Sequence, residues 1–162
     1  MKEKDLNSIV VNSFQSQGLF AYKIPDPPQM VAQNSSKRPF DCFACTPDNS
    51  WYIESKFSNG VSSIPFNSVR DHQYTALLNI EECGDPYSLP ILLVGFWEPR
   101  KFFEVITFRF RFFYELSLTL KTKSIPKKIV QRIFEDGRTV PIKKQQFNIE
   151  ELREKMIDGD FY

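Results

Sequence analysis

The longest apolar run of the chain, residues 89–97, constrains the fold more than any other feature of the sequence. It is about half as long as the ~18 residues that a helix needs to cross a membrane. A continuous apolar run of this length is typical of a strand that is buried on both faces of a sheet. The run therefore predicts a strand inside a sheet, and the helical and strand patterns that alternate along the chain favour an α/β fold around that one sheet.

Helical and strand patterns alternate along the rest of the chain. The apolar positions of residues 3–17 follow helical spacing, and Gly18 ends that run. A second helix is predicted from a cap at Asn67 or Ser68 to about Cys83. Further strands are predicted at residues 19–24, 39–45, 51–57 and 102–108, and weaker helical patterns lie at residues 126–134 and 148–157.

Length and composition suit one globular domain. With 162 residues, of which 41% are hydrophobic and 25% charged, the chain can bury a core without support from disulfides or zinc. We expect a single domain over residues 1–162, with its core in about residues 1–108. The sequence has neither a secretion signal nor a membrane-spanning run, so we expect a cytoplasmic protein with no membrane partner.

The three cysteines do not predict a metal or redox site. Cys42 and Cys45 have the spacing of such motifs, but no second pair completes a zinc set. Both lie in a predicted strand, where residues three apart face opposite sides. We therefore interpret them as small core residues.

Charge is distributed unevenly, although the formal net charge is only +1. Residues 121–144 carry a basic segment in which only Glu135 and Asp136 are acidic. Such a segment suits a polyanionic partner, but a solvated surface has the same composition. The basic residues are Lys121, Lys123, Lys127, Lys128, Arg132, Arg138, Lys143 and Lys144.

A predicted hairpin brings two carboxylates and a lysine to one face of the sheet. If residues 47–50 form a four-residue turn, Phe43 lies opposite Glu54 and Asp41 lies opposite Lys56. Directly opposite residues share a face, so Asp41 and Glu54 would be diagonal neighbours about 7–8 Å apart at Cα. A slip of one residue in the register would put them on opposite faces.

Two carboxylates and a lysine on one face are what metal-assisted phosphodiester hydrolysis needs. Mg²⁺ prefers oxygen ligands, keeps several waters and is often held by one or two carboxylates together with a substrate phosphate. A lysine beside it can orient or deprotonate the attacking water and stabilise the phosphate. The alternative interpretation is an ion pair on the surface of the hairpin.

Three further residues extend this candidate site. Glu3 continues the apolar stripe of the first helix, where a buried carboxylate needs a cation, although at a helix end it could simply reach water. Gln73 lies in the apolar face of the second helix, either as a hydrogen-bonded core residue or as a site residue. His72, the only histidine, flanks that face and is interpreted as a structural or phosphate-contacting residue.

The order of these residues resembles the PD-(D/E)xK nuclease superfamily, and local matches over about residues 3–96 resemble its RecU-type Holliday junction resolvases. The matches are Glu3-Lys4-Asp5-Leu6, Tyr22-Lys23-Ile24-Pro25-Asp26-Pro27, Phe40-Asp41, Tyr52-Ile53-Glu54-Ser55-Lys56, Ile64-Pro65-Phe66-Asn67 and Asp71-His72-Gln73. The resemblance implies a restriction-endonuclease-like core, in which a central mixed β-sheet is flanked by helices. It also implies that Asp41 and Glu54 are the principal metal ligands, that the Ser55 carbonyl completes the metal shell and that Lys56 is the catalytic lysine.

The same resemblance implies that Glu3 is a helix acid near the metal and that Gln73 supports the site. It further implies Mg²⁺ as cofactor, with Mn²⁺ able to substitute, and a homodimer that resolves four-way DNA junctions by paired nicks. The chain departs from the family at residues 30–38, which are too few for the family's long projecting stalk. The residues expected to contact DNA phosphates are Lys37, Arg38, His72, Lys127, Lys128 and Arg132.

Two alternatives to a junction resolvase remain. A general or restriction-type nuclease of the same fold would not need the stalk. A DNA-binding protein without catalytic activity could keep the fold, but the presence of Asp41, Glu54 and Lys56 together argues against it.

Overall fold

The computed structural model describes residues 1–28 and 37–159. Most of the segment compared with the stalk, residues 30–38, lies outside the described residues. Among the helices of the described ranges, none is long and apolar enough to cross a membrane.

A six-stranded mixed sheet forms the centre of the molecule, in the strand order β1-β2-β3-β5-β6-β8. Strands β3 and β5 are parallel and the other neighbours are antiparallel, which confirms the predicted mixed sheet. A short sheet pairs β4 with β7. The elements are α1 (Glu3–Ser16), β1 (Phe20–Lys23), β2 (Cys42–Cys45), β3 (Ser50–Asn59), β4 (Ile64–Pro65), α2 (Asp71–Glu82), β5 (Ser88–Glu98), β6 (Phe102–Arg109), α3 (Phe110–Thr119), β7 (Ser124–Ile125), α4 (Lys127–Glu135), β8 (Val140–Pro141) and α5 (Ile149–Glu154).

Strand β5 is buried on both faces, as its apolar run predicts. On one face, Ile91 and Leu93 belong to a core cluster that includes the apolar stripe of α1 and the buried residues of α5. On the other face, Leu92 and Phe96 belong to a second cluster with residues of α2, α3 and α4. The sheet is therefore covered by helices on both sides, and the predicted flanking helices are confirmed.

The predicted register of the β2–β3 hairpin was wrong by two residues. Phe43 pairs with Tyr52 rather than with Glu54, because the four-residue loop is formed by residues 46–49 and not by residues 47–50. The Thr46 hydroxyl stabilises this loop by accepting a hydrogen bond from the Asn49 N–H at 3.1 Å. A shift of two residues preserves the faces of a strand, so Asp41 and Glu54 still share one face.

The predicted start of α2 was also wrong. Residues 66–68 form a separate 3₁₀ turn, Val69 is extended and buried, and the helix begins at Asp71. Gln73 is buried, like Leu77 of the same helix, but it lies in the first turn of α2. Its side-chain oxygen accepts a hydrogen bond from the Arg70 N–H at 2.9 Å, which satisfies one donor at the helix start.

Helix α3 was not predicted, because its sequence is a run of aromatic residues that continues directly from β6. Phe110, Phe113 and Leu116 are buried and follow helical spacing in the second cluster. Of the C-terminal predictions, α4 is confirmed at Lys127–Glu135, whereas α5 is shorter than predicted and ends at Glu154.

Cys42 is a core residue, as predicted. Its side chain is fully buried, and burial raises the pKa of its thiol to about 12. Cys45 is half-buried and Cys83 is exposed. Among the described residues, none of the three belongs to a group that could hold a metal ion.

The side chain of Leu6, on helix α1, lies directly against Gly95 of β5. A Cβ atom added there would lie 3.0 Å from Leu6 Cδ2, inside ordinary van der Waals distance. We expect Gly95→Val to lower the free energy of unfolding by about 1–3 kcal/mol through overpacking, and Gly95→Ala to lower it by less. Urea unfolding measures both values. A Gly95→Val protein as stable as the wild type would contradict this close approach.

Candidate metal centre

Three carboxylates from three separate parts of the chain meet beside the central sheet. Glu3 is the first residue of α1, Asp41 immediately precedes β2, and Glu54 lies within β3. One carboxylate oxygen from each lies within 4.8 Å of the other two. The side chains of Asp41 and Glu54 are fully buried, whereas that of Glu3 is 43% exposed. The structure thus brings together the three acidic residues singled out in the sequence.

The backbone at the start of β2 holds Asp41 in place. The Asp41 N–H donates to the Ile53 carbonyl, and the regular strand begins only at the next residue. Further along β3, the Ser55 N–H donates to Asp41 Oδ2 at 2.9 Å. A side-chain oxygen therefore satisfies a backbone donor that β2 does not pair. Ser55 orients Asp41 in this way, while the predicted role of the Ser55 carbonyl in the metal shell stays a prediction.

Glu54 combines complete burial with an incomplete set of hydrogen bonds. Its Oε1 accepts a hydrogen bond from Lys56 Nζ at 2.6 Å. Its Oε2 is buried and has no hydrogen-bond partner among the residues that the structure describes. Burial, followed by the charge of Asp41, raises the pKa of Glu54 to about 7. A buried carboxylate oxygen without a partner is costly, and a cation in the site would satisfy it.

Lys56 lies between two of the carboxylates. Its Nζ is 2.6 Å from Glu54 Oε1 and 3.5 Å from Glu3 Oε1. Burial alone would lower the pKa of Lys56, but the charge and hydrogen bond of Glu54 outweigh it and leave that pKa raised. Lys56 is therefore a cation and a hydrogen-bond donor in this arrangement.

A second cation contacts the other buried carboxylate. Arg38 Nη2 donates to Asp41 Oδ1 at 2.5 Å, and Arg38 Nη1 donates to Asp26 Oδ1 at 2.7 Å. The backbone carbonyl of Arg38 is 3.1 Å from His72 Nε2, so α2 also contacts this segment. Asp26 was not singled out as a site residue, although it belongs to a quoted motif, because its contact arises only in the folded chain.

An open cavity of about 390 Å³ gives access to the centre from solvent. Arg70, at the start of α2, lines this cavity and was missed from the sequence. Gln73 reaches the cavity beside it, so the structure brings Gln73 to the site as well as to the helix cap. The lining residues are Glu3, Asp26, Pro27, Lys37, Arg38, Lys56, Arg70, His72 and Gln73.

The residues expected to contact DNA fall into two groups. Lys37, Arg38 and His72 line the cavity, whereas the other three lie on α4. Lys127 borders a different depression, formed with the ends of β3 and β5. Arg132 Nε is 3.8 Å from Asp136 Oδ2, an exposed pair of little energetic value.

This donor set fits a hard divalent cation. All three side chains offer oxygen, which Mg²⁺ and Mn²⁺ prefer over nitrogen or sulfur. The oxygen of Glu54 without a partner is the strongest observation for such an ion. Glu3, Asp41 and Glu54 are therefore the residues that could hold it.

Comparisons with known proteins give limited information about this chain. No protein-family model matches it, and a search of curated proteins finds no match. Among solved structures, it is similar to Hjc of Archaeoglobus fulgidus, described as a Holliday junction resolvase from an archaeal hyperthermophile. The two are 13% identical, with a TM-score of 0.44 over 75% of this chain and 84% of that chain. A likeness of this degree leaves the function of the chain to be inferred from its own residues.

Proposed function

We propose that the chain is a divalent-metal-dependent DNA endonuclease that resolves four-way junctions by paired nicks, with Mg²⁺ as its cofactor and Mn²⁺ able to replace it. The observation that carries the proposal is the convergence of Glu3, Asp41 and Glu54 beside Lys56. Such a centre beside a cavity that Glu3, Lys56 and further cationic side chains line suits the hydrolysis of a phosphodiester.

The proposed mechanism assigns a task to each residue. Glu3, Asp41 and Glu54 would hold the ion, which when bound lowers the pKa of a water and offsets charge on the phosphate. Lys56, kept protonated by Glu54, would donate to a phosphate oxygen and stabilise the negative charge that develops there. The Ser55 N–H keeps Asp41 in its orientation during the reaction.

The cationic side chains of the cavity would hold the DNA backbone. Lys37, Arg38 and Arg70 line it together with the imidazole of His72. Contacts of this kind position DNA without reading bases, which suits an enzyme selective for DNA structure rather than sequence. The resemblance to RecU-type resolvases supports four-way junctions as the substrate.

We further propose a homodimer of single-domain chains with a restriction-endonuclease-like core. Two symmetric nicks require two centres related by a two-fold axis. The order α1-β1-β2-β3-α2-β5, with β3 parallel to β5, supports that core. Strand β8, near the C-terminal end of the chain, joins the same sheet as β1, which supports a single domain. A DNA substrate is consistent with the predicted cytoplasmic location.

Cleavage in Mg²⁺ compared with cleavage in EDTA tests the proposal. We expect a synthetic four-way junction to be cut in Mg²⁺ or Mn²⁺ and to remain intact in EDTA. Cleavage that continues in EDTA at the same rate would contradict a metal-dependent enzyme. Binding of the junction without cleavage in any divalent cation would instead favour a DNA-binding protein.

The exposed basic side chains of α4 are expected to add phosphate contacts. Replacing Lys127, Lys128 and Arg132 with Gln should weaken DNA binding and reduce the slope of log Kd against log salt by up to about 3, since each phosphate contact contributes about 0.9. Fluorescence anisotropy at several salt concentrations measures both the DNA affinity and its salt dependence.

A matched variant should separate this effect from the loss of net charge. Lys143, Lys144 and Arg153 are also exposed, and they lie in the segment around α5, which packs on the opposite face of the sheet from α4. Replacing these three with Gln should change the slope much less. Equal slopes for the α4 variant and the wild type would make α4 a solvated surface.

A further inference from the structure

The guanidinium of Arg38 occupies a bridging position between a buried and an exposed carboxylate. It donates to Asp41, which is fully buried, and to Asp26, whose side chain is 74% exposed. Arg38 itself is 20% exposed, so solvent and ligands in the cavity can reach it. The bridge therefore connects the candidate metal centre to the cavity.

This bridge leaves Asp41 without an oxygen that is free of hydrogen bonds. Oδ1 accepts from Arg38 and Oδ2 accepts from the Ser55 N–H. The Ser55 bond belongs to the backbone of the sheet, so the Arg38 bond is the one that a side-chain movement can break. A divalent ion that approaches Asp41 meets a positive charge already in contact with it, and the repulsion weakens its binding.

The cavity offers Arg38 a second class of partner. Lys37, Arg70 and His72 surround the same space, so a DNA phosphate attracted there comes within reach of the Arg38 guanidinium. Guanidinium groups bind phosphate as readily as carboxylate, through paired charge-assisted hydrogen bonds. A phosphate can thus replace Asp41 as the partner of Arg38 without leaving the cation unpaired.

We propose that Arg38 is a positioning residue that exchanges between Asp41 and a DNA phosphate, so that DNA binding frees Asp41 for the metal. Without DNA, Arg38 neutralises the buried carboxylate and opposes metal binding. With DNA, it holds the backbone, and Asp41 Oδ1 becomes available as a ligand. The inference rests on the proposed function and adds a coupling between its two ligands.

The coupling is reciprocal by thermodynamic necessity, because DNA that strengthens metal binding is itself bound more tightly when metal is present. A phosphate also supplies an oxygen ligand to the metal, so some coupling is expected in any variant. What Arg38 adds is the penalty on metal binding in the absence of DNA. That penalty is the quantity to measure.

Calorimetric titration measures the affinity of the protein for Ca²⁺, a cation that takes oxygen ligands. The titration is done once without DNA and once with a bound four-way junction. Arg38→Met removes the charge, and Lys37→Met removes the adjacent cavity cation, which has no ion pair with Asp41 among the described contacts. Without DNA, we expect Arg38→Met to bind Ca²⁺ about tenfold more tightly than the wild type, and Lys37→Met to bind it within about twofold of the wild type. With the junction, the Ca²⁺ affinities of Arg38→Met and wild type should converge.

The fold of each variant is checked by thermal unfolding, and Arg38→Lys serves as a second variant that retains the charge. Its Ca²⁺ affinity without DNA should lie between those of Arg38→Met and wild type. Equal Ca²⁺ affinity of wild type and Arg38→Met, in a protein that still cleaves DNA, would overturn this inference and leave the proposed function intact. Absence of Ca²⁺, Mg²⁺ and Mn²⁺ binding in every variant would overturn both.

Discussion

Replacing Asp41 with Asn should abolish metal-dependent cleavage while leaving DNA binding largely intact. Asn keeps the shape of the side chain, and its amide oxygen can still accept from the Ser55 N–H. The substitution removes one of the two fully buried negative charges that would hold the ion. We expect the cleavage rate to fall roughly a thousandfold, which corresponds to about 4 kcal/mol of barrier.

Cleavage and anisotropy assays on the same DNA separate the two properties of Asp41→Asn. Glu82→Gln is the matched control, because Glu82 is an exposed carboxylate at the end of α2. It should cleave at the wild-type rate. Unchanged cleavage by a pure preparation of Asp41→Asn would refute the assignment of Asp41 as a metal ligand.

Replacing Lys56 with Met should produce the second largest loss of cleavage. Met keeps an unbranched apolar side chain close to the aliphatic part of Lys but removes the donor that contacts both Glu54 and Glu3. Loss of one preorganised donor typically costs about 10²–10³ in rate. DNA binding should weaken only slightly, because the other cationic residues of the cavity remain.

Metal binding distinguishes a catalytic role of Lys56 from a structural one. Lys56→Met leaves Glu54 buried without its cation, so the variant should be less stable than the wild type in EDTA and should regain stability in Mn²⁺. Lys128→Met, a change at an exposed lysine of α4, should change neither the stability in EDTA nor the response of stability to Mn²⁺. Stability of Lys56→Met that does not respond to Mn²⁺, together with wild-type cleavage, would make the Lys56 ion pairs merely structural.

The convergence of Asp41 and Glu54 could be predicted because strand periodicity tolerates an error of two residues. The predicted turn was displaced, yet both side chains stayed on one face. Lys56 followed from the same periodicity, since it is two residues after Glu54. An error of one residue would have placed the carboxylates on opposite faces. The prediction of this part of the site therefore depended only on which face of its strand each residue occupies, and not on the exact pairing.

The contacts around Arg38 could not be predicted from the sequence. Arg38 reaches Asp26 and Asp41 because the chain folds back after β1, and no local pattern encodes that return. Arg70 enters the cavity for a comparable reason. Burial of Val69 in the second cluster delays α2 until Asp71, which places Arg70 at the start of the helix. Tertiary packing decided both positions.

Helix α3 shows where the reading of periodicity fails. Three of its first four residues, Phe110, Phe112 and Phe113, are aromatic and suit a strand as well as a helix. Packing against α2 and the sheet selects the helix, and Arg109 fixes its start through a pair of hydrogen bonds to Glu81 at 2.9 and 3.1 Å. Because Arg109 and Glu81 are distant in sequence, their hydrogen bonds could not be predicted from a local sequence pattern.

Cleavage of a four-way junction, a fork and a linear duplex, compared in Mg²⁺ under identical conditions, tests the central claim most directly. A junction resolvase should place paired symmetric nicks in the junction and leave the duplex intact, and Asp41→Asn should leave all three DNAs uncut. Equal cutting of the duplex would contradict selectivity for junctions and indicate a general nuclease. An uncut junction in both Mg²⁺ and Mn²⁺ would contradict the account altogether.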